Sequence, residues 1–135
     1  MAKLLTESGG KMINFKGKEY QCTLEVALQM IGGRWKPLIL WYLSSGTLRF
    51  NELRRMLPKV TQKMLTQQLR ELEHDRLVNR VIYVQIPPKV EYSLTEAAKS
   101  LLPSLLSLRQ WGAYYLEGKE YLEDCKEEVV DKKDI

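Results

Sequence analysis

A short segment in the middle of the chain carries long cationic and amide side chains at helical spacing. At about 100° per residue, four polar residues share one side of a helix: Lys63, Thr66, Gln67 and Arg70. Lysine and arginine neutralise phosphates, and glutamine and arginine make bidentate hydrogen bonds to purine edges in a DNA major groove. A helix that is merely solvated also presents a polar face. We therefore use the flanking segments to distinguish a DNA-binding face from a solvated one.

The opposite side of the same segment is apolar. Its members are Leu65, Leu69 and Leu72. They are suited to packing on a domain, which would hold the cationic side outward.

Metal and nucleophilic chemistry find little support. The chain has one histidine, His74, and two cysteines far apart, Cys22 and Cys125. These residues form no set with the spacing of metal ligands. The chain also lacks a glycine-rich phosphate loop and a Ser/His/Asp or Cys/His arrangement. We therefore predict a protein that is not an enzyme and needs neither a metal nor a cofactor.

Cys22 is a candidate for redox chemistry. It precedes a helix predicted over Thr23–Ile31, where the helix dipole favours a thiolate. The alternative is an inert, half-buried cysteine that packs like a small apolar residue. The sequence is compatible with both interpretations.

Helix and turn signals surround the cationic segment. A helix predicted over residues 50–57 ends at Pro58, and Thr61 is a good N-cap for the next helix, from Gln62 to Glu73. Two short helices joined by about four residues form the helix-turn-helix pattern. Two more helices are predicted before this pair, over residues 23–31 and 35–43.

A β-hairpin is predicted directly after the second helix. Residues 77–85 and 90–94 are β-rich, and the two prolines between them place a turn that would expose Lys89. A hairpin in this position is a wing. Residues 47–49 are predicted as a short extended link.

The last predicted helix begins at a Thr95 cap, and Pro103 kinks or divides it. Its apolar stripe is wider than the core of one domain requires, which favours a partner helix in a two-fold homodimer. The predicted interface consists of Leu105, Leu108, Trp111 and Tyr115. The alternative, that the helix covers only its own domain, stays open.

The composition and the distribution of charge limit the classes of partner that the protein can bind. The chain has 135 residues, 44% of them hydrophobic, and a net charge of +4. Residues 49–89 carry nine cations and four acids, a net +5, whereas residues 116–135 carry eight acids and four lysines, a net −4. A basic middle indicates a polyanionic partner. No apolar run reaches the roughly 18 residues of a membrane span, and no signal peptide is recognisable, so we expect a cytoplasmic protein without a membrane partner.

These observations predict a mainly α fold with a small β-hairpin (α+β), a winged helix-turn-helix with terminal dimerisation helices. The predicted organisation is an irregular N-terminal extension over residues 1–21, the DNA-binding domain with its dimerisation helices over 22–112, and an acidic tail over 113–135.

Several runs of residues together resemble the HxlR-type winged-helix transcriptional regulators, a bacterial branch related to the MarR-type regulators. The runs are Cys22 with Glu25, Ile31-Gly32-Gly33-Arg34-Trp35, Arg49-Phe50-Asn51-Glu52-Leu53, Lys63-Met64-Leu65-Thr66 through Arg70-Glu71-Leu72-Glu73, Pro87-Pro88-Lys89-Val90-Glu91-Tyr92-Ser93-Leu94-Thr95, and Trp111-Gly112. The resemblance implies a homodimer that pairs through its terminal helices and binds a pseudo-palindromic operator in double-stranded DNA. We expect this homodimer to act as a repressor, with activation as the open alternative. The resemblance also implies that Cys22 can sense oxidants or electrophiles, as the matching cysteine does in some relatives.

We expect the DNA contacts to come from the second helix of the pair, the arginines before and within the first, and the wing. The candidates are Thr61, Gln62, Lys63, Thr66, Gln67, Arg70, Arg49, Arg54, Arg55 and Lys89. Alternatives are a winged helix that binds protein, or a regulator that responds to a small molecule in a pocket lined by Trp35, Trp41 and Tyr42. The effector itself is left open.

Overall fold

The computed structural model describes residues 11–117, and the chain divides into two compact units, Met1–Arg34 and Trp35–Ile135. Cys125 and most of the predicted acidic tail lie outside the described residues. Within residues 11–117, no helix is long and apolar enough to cross a membrane. The same range holds no cluster of three or more metal-ligating side chains.

Within its described residues, 11–34, the first unit contains a small hairpin and one helix. Strands β1 (Ile13–Phe15) and β2 (Lys18–Tyr20) pair antiparallel, and helix α1 spans Thr23–Ile31 as predicted. The expectation of an irregular backbone is therefore wrong for residues 13–20. Lys16 and Gly17 both adopt left-handed angles, with φ of 52° and 76°, and so form the tight turn that joins two strands. Glycine and asparagine adopt this conformation most readily, so the lysine at position 16 gave no indication of a turn in the sequence.

The second unit holds five helices and three strands within its described residues. They are α2 (Lys36–Leu43), β3 (Leu48–Arg49), α3 (Phe50–Met56), α4 (Gln62–His74), β4 (Val78–Tyr83), β5 (Lys89–Leu94), α5 (Glu96–Lys99) and α6 (Leu102–Tyr115). The winged helix-turn-helix predicted from the sequence is confirmed: α3 and α4 form the helix pair, and β4 and β5 form the wing.

The core of this unit is built from the apolar faces of its helices. The leucines predicted to face inward from α4 are almost completely buried, together with residues of α2 and α3: Leu65, Leu69, Leu72, Ile39, Leu40 and Leu53. Since the leucines occupy one side of α4, the cationic side is directed away from the core.

The sheet has the order β3-β5-β4, all antiparallel. The link predicted over residues 47–49 is thus partly a strand, in which Leu48 pairs with Tyr92 and Arg49 with Glu91. Leu48 and Tyr92 are both buried, which fixes this register. The sheet therefore ties the segment before α3 to the base of the wing.

Pro103 divides the last predicted helix into two. Thr95 caps α5, where its Oγ1 accepts a hydrogen bond from the Ala98 N–H at 3.2 Å. Pro103 lies in the first turn of α6, where its missing N–H costs no intrahelical bond. Helix α6 then runs to Tyr115, so residues 113–115 of the predicted tail are helical.

Candidate nucleic-acid interface

Helix α4 begins as the sequence predicts. Thr61 is its N-cap, and Oγ1 of Thr61 accepts a hydrogen bond from the Met64 N–H at 3.0 Å. The first turn contains no acidic residue. The N–H groups of Gln62 and Lys63 precede the first intrahelical bonds and suit a phosphate oxygen.

Two cations are available on the outward side of α4. Lys63 and Arg70 are exposed, and neither side chain makes a hydrogen bond or an ion pair with another described residue. Gln62 is exposed as well. These side chains can reach a ligand without first breaking an internal contact.

Thr66 is less available than the sequence suggested. It is half-buried, and its hydroxyl donates to the Gln62 carbonyl oxygen at 2.8 Å. The hydroxyl proton of Thr66 is therefore already donated within the helix, and only the hydroxyl oxygen and the methyl group remain to contact a ligand.

Gln67 belongs to a network that sequence reasoning missed. Its Nε2 donates to Glu71 Oε2 at 3.1 Å, and Lys36 Nζ donates to Glu71 Oε1 at 2.7 Å. Lys36 lies at the start of α2 and is the one buried charged residue among those described, at 8% exposure. The Lys36 hydrogen bond is the main cause that lowers the pKa of Glu71, and the bond from Gln67 acts in the same direction. Glu71 is therefore an ionised carboxylate beside the cationic face.

A signal for this network did exist in the sequence. Lys36 opens a helix that is otherwise apolar nearly all round, and a buried lysine almost always requires a carboxylate partner. The sequence does not say which of the acids supplies it.

The three arginine candidates lie around α3. Arg49, Arg54 and Arg55 are all exposed. The backbone N–H of Arg49 donates to Glu52 Oε1 at 2.8 Å. Because this hydrogen bond uses the backbone, it does not occupy the Arg49 guanidinium. Arg49 and Arg55 line a shallow cleft together with Thr47, Asn51, Glu52 and Glu91. The two carboxylates lower the positive potential of this cleft, whereas Arg54 is not part of it.

The structure corrects the prediction that the wing exposes Lys89 at its tip. Lys89 is half-buried in β5, with its Nζ 3.7 Å from Glu91 Oε2 and 4.5 Å from the centre of the Tyr83 ring. The reason is the strand register, which places Lys89 directly opposite Tyr83. The tip instead exposes apolar side chains, and Val84 and Ile86 are completely exposed.

Cys22 is the N-cap of α1, as predicted, and is a half-buried free thiol. Its Sγ accepts a hydrogen bond from the Leu24 N–H at 3.4 Å. The Glu25 carboxylate accepts from the Cys22 N–H at 3.2 Å, which completes a capping box. The sulfur atom is therefore part of the start of α1.

Helix α6 presents a mostly apolar outer face. Leu108, Trp111 and Tyr115 are 61%, 62% and 72% exposed, and the Trp111 and Tyr115 rings stack with centroids 5.6 Å apart. Leu105, which the sequence also assigned to an interface, is only 5% exposed and lies in the core. Trp35, Trp41 and Tyr42 are half-buried, and Arg109 lies over the Trp41 ring.

Comparison with known proteins identifies the family. The HxlR-like helix-turn-helix family matches residues 30–120. The uncharacterized HTH-type transcriptional regulator YkvN of Bacillus subtilis is 54% identical over 106 residues, which cover 78% of this chain and 89% of YkvN.

Two solved structures extend the comparison. The redox regulator HypR in its oxidized form is 52% identical, with a TM-score of 0.65 over 67% of this chain and 94% of HypR. The reduced form of the transcriptional regulator YodB from B. subtilis is 34% identical, with a TM-score of 0.63 over 73% of this chain and 96% of YodB. YkvN and YodB are transcriptional regulators and HypR is a redox regulator, and none of the three indicates a catalytic family. The chain belongs to the HxlR-like helix-turn-helix family of DNA-binding transcriptional regulators.

Proposed function

We propose that this regulator is a homodimer that binds a pseudo-palindromic operator with α4 in the major groove, and that it represses transcription until an oxidant or electrophile weakens its binding to DNA. The observation that carries the DNA-binding part is the outward face of α4. Lys63 and Arg70 are exposed there and have no partner among the described residues. A polyanion is the ligand that such a face fits.

The alternative of a protein-binding winged helix finds less support. An interface of that kind needs an exposed apolar patch on α4. The exposed side chains of this helix are polar except for Met64, which is borderline. We therefore propose DNA as the partner of α4.

Two exposed apolar surfaces support the dimer. Leu108, Trp111 and Tyr115 lie on one face of α6, and Leu24 and Leu28 are exposed on α1, which has no buried residue. Surfaces of this kind on one polypeptide favour burial against a second copy. In a two-fold dimer the two α4 helices would contact half-sites whose centres lie about 34 Å apart. Occupation of a promoter by such a dimer would exclude the polymerase, so we propose repression.

The direct test is a gel-shift series with DNA from upstream of the gene, comparing the wild type with Lys63→Ala, Arg70→Ala. The double variant should lose most of its affinity while its circular dichroism spectrum stays unchanged, because both side chains point away from the core. Unchanged operator affinity in the folded double variant would refute the assignment of α4.

The dimer is tested by sedimentation of Leu108→Glu beside Val84→Glu. Both variants add one charge at an exposed apolar position. The charge on α6 should shift the protein to monomer, whereas the charge at the wing tip should leave it unchanged. A dimer that survives Leu108→Glu at micromolar concentration would contradict the α6 interface.

The proposed redox response rests on the position of Cys22 and on the similarity to HypR. A Cys22 thiolate would attack one oxygen of a peroxide, forming an S–O bond while the O–O bond breaks and hydroxide leaves. Oxidation to the sulfenic acid would change the sulfur atom that accepts the hydrogen bond from the Leu24 N–H at the start of α1. That helix carries the exposed Leu24 and Leu28, so its perturbation would change the dimer.

Matched cysteine variants test this response. Peroxide should weaken operator binding by the wild type and by Cys125→Ser, but not by Cys22→Ser. Equal responses of Cys22→Ser and the wild type would exclude Cys22 as the sensor.

A further inference from the structure

We infer that Lys36 and Glu71 fix the orientation of the Gln67 amide, and that Gln67 thereby selects adenine at one position of each half-site. This inference rests on the proposed function, since it concerns the base that α4 would recognise. Neither Lys36 nor Glu71 needs to touch DNA: both are positioning residues.

The orientation of Gln67 follows from the chemistry of a carboxylate. An ionised carboxylate only accepts hydrogen bonds, so the amide nitrogen of Gln67, and not its oxygen, must face Glu71. The 3.1 Å separation between Gln67 Nε2 and Glu71 Oε2 is a hydrogen-bond distance. The reversed amide would bring two oxygens together. One amide hydrogen is therefore held by Glu71, and the carbonyl oxygen lies on the other side of the amide.

Lys36 makes this orientation rigid. Glu71 is partly exposed and would otherwise exchange between rotamers, but the 2.7 Å bond from Lys36 Nζ holds its second oxygen. Lys36 is itself buried at the start of α2, a helix whose Ile39 and Leu40 lie in the core. The Gln67 amide is thus anchored through two hydrogen bonds to an element that the core immobilises.

Lys36 also compensates the charge of Glu71. An unpaired carboxylate next to a DNA-binding face would repel phosphates. Paired with Lys36, Glu71 can remain ionised beside Gln67 at a reduced electrostatic cost. This arrangement explains how a glutamate can stand next to the outward face of α4.

A fixed amide distinguishes the bases of the major groove. The Gln67 oxygen can accept from an exocyclic amino group, which adenine and cytosine carry, whereas guanine and thymine present oxygens there. The second amide hydrogen of Gln67 can donate to N7, which adenine presents beside its amino group. Adenine alone satisfies both atoms. A glutamine free to rotate would lose part of this discrimination.

The test is selection of binding sites from randomised DNA, followed by sequencing, with the wild type and three variants: Gln67→Ala, Glu71→Ala and Glu73→Ala. Glu73 is the matched control, because it is an exposed acid of the same helix with no hydrogen bond to Gln67. The wild type should prefer adenine at one position per half-site by about tenfold or more, and Gln67→Ala should abolish that preference. Glu71→Ala should reduce it to about threefold or less at the same position only, whereas Glu73→Ala should retain it.

Two further variants examine Lys36. Lys36→Met should weaken the adenine preference as Glu71→Ala does, and Lys36→Arg, which keeps the charge-assisted bond, should restore it. A purely structural role of Lys36 would lower affinity at all positions together. Thermal melting separates variants that do not fold from those that have lost the orientation.

Different results would contradict the role of the Gln67 amide and the proposed DNA binding. Adenine preferences that are equal in Glu71→Ala and Glu73→Ala would overturn the inference while leaving DNA binding intact. Selection of guanine or thymine at the position that depends on Gln67 would overturn it as well. A wild type that enriches no sequence would refute the proposed function, and this inference with it.

Discussion

The salt dependence of DNA binding distinguishes a free cation from one already engaged. Lys63 has no ion-pair partner among the described residues, whereas Lys89 lies 3.7 Å from Glu91 and over the Tyr83 ring. We expect Lys63→Ala to lower the slope of log affinity against log salt, because each Lys63 that contacts a phosphate releases counterions on binding. Replacing both Lys89 and Glu91 by alanine removes the internal pair without changing the net charge, so it should leave the slope nearly unchanged.

The size of the expected change in slope follows from the number of phosphate contacts that Lys63 makes in the dimer. A dimer carries two copies of Lys63, and each neutralised phosphate contributes about 0.9 to the slope, so the variant should lose about 1.8. Between 50 and 200 mM salt, the wild type should therefore lose about twelvefold more affinity than Lys63→Ala.

Fluorescence anisotropy with a labelled operator, measured at five or more salt concentrations, gives these slopes directly. Circular dichroism controls for folding. A slope that falls as much in the Lys89→Ala, Glu91→Ala protein as in Lys63→Ala would mean that Lys89 leaves Glu91 to hold a phosphate. A slope unchanged by Lys63→Ala would refute the phosphate contact.

Two further predictions concern stability. Lys36 lowers the pKa of Glu71 in the folded state, so the stabilisation by this pair is present above the ordinary value of 4.5 and is lost as the pH falls through the lowered folded value. Urea unfolding should therefore show a larger gap between wild type and Glu71→Gln at pH 7 than at pH 3, and an equal gap at both would contradict the pairing. Thr61→Ala should lower the free energy of unfolding by about 1 kcal/mol in the same assay, because the Met64 N–H loses its acceptor. A loss below about 0.3 kcal/mol would mean that water replaces the cap at no cost.

Much of the DNA-binding unit was predictable because its signals are local. Leucines at helical spacing, the Thr61 cap and the break at Pro58 together define the helix pair. The wing is equally marked by β-rich runs on either side of two prolines. The outward direction of Lys63 and Arg70 then follows from the burial of Leu65 and Leu69 on the other side.

Two of the wrong predictions have a common cause, which is pairing between distant segments of the chain. The strand at Leu48 is too short for a periodic signal, and it forms because Tyr92 pairs with it far along the chain. The engagement of Lys89 likewise depends on the strand register, which sets Tyr83 opposite it. The hairpin over residues 13–20 was not predicted, for another reason: Lys16 occupies a left-handed turn position where glycine or asparagine would have indicated a turn.

We expect the pair formed by Lys36 and Glu71 to contribute more to base specificity than to stability. An ion pair of which one member is buried contributes little net stability, because desolvation of the charges offsets much of their attraction. Two apolar residues of similar volume in these positions would hold α2 against α4 at least as well. The pair differs from such a replacement in one respect: only a carboxylate can hold the Gln67 nitrogen while leaving its oxygen outward. An apolar double variant, Lys36→Met, Glu71→Leu, should therefore match or exceed the wild type in urea unfolding and yet discriminate bases less sharply. Wild-type discrimination in a folded apolar variant would show that the pair serves only to hold the two helices together.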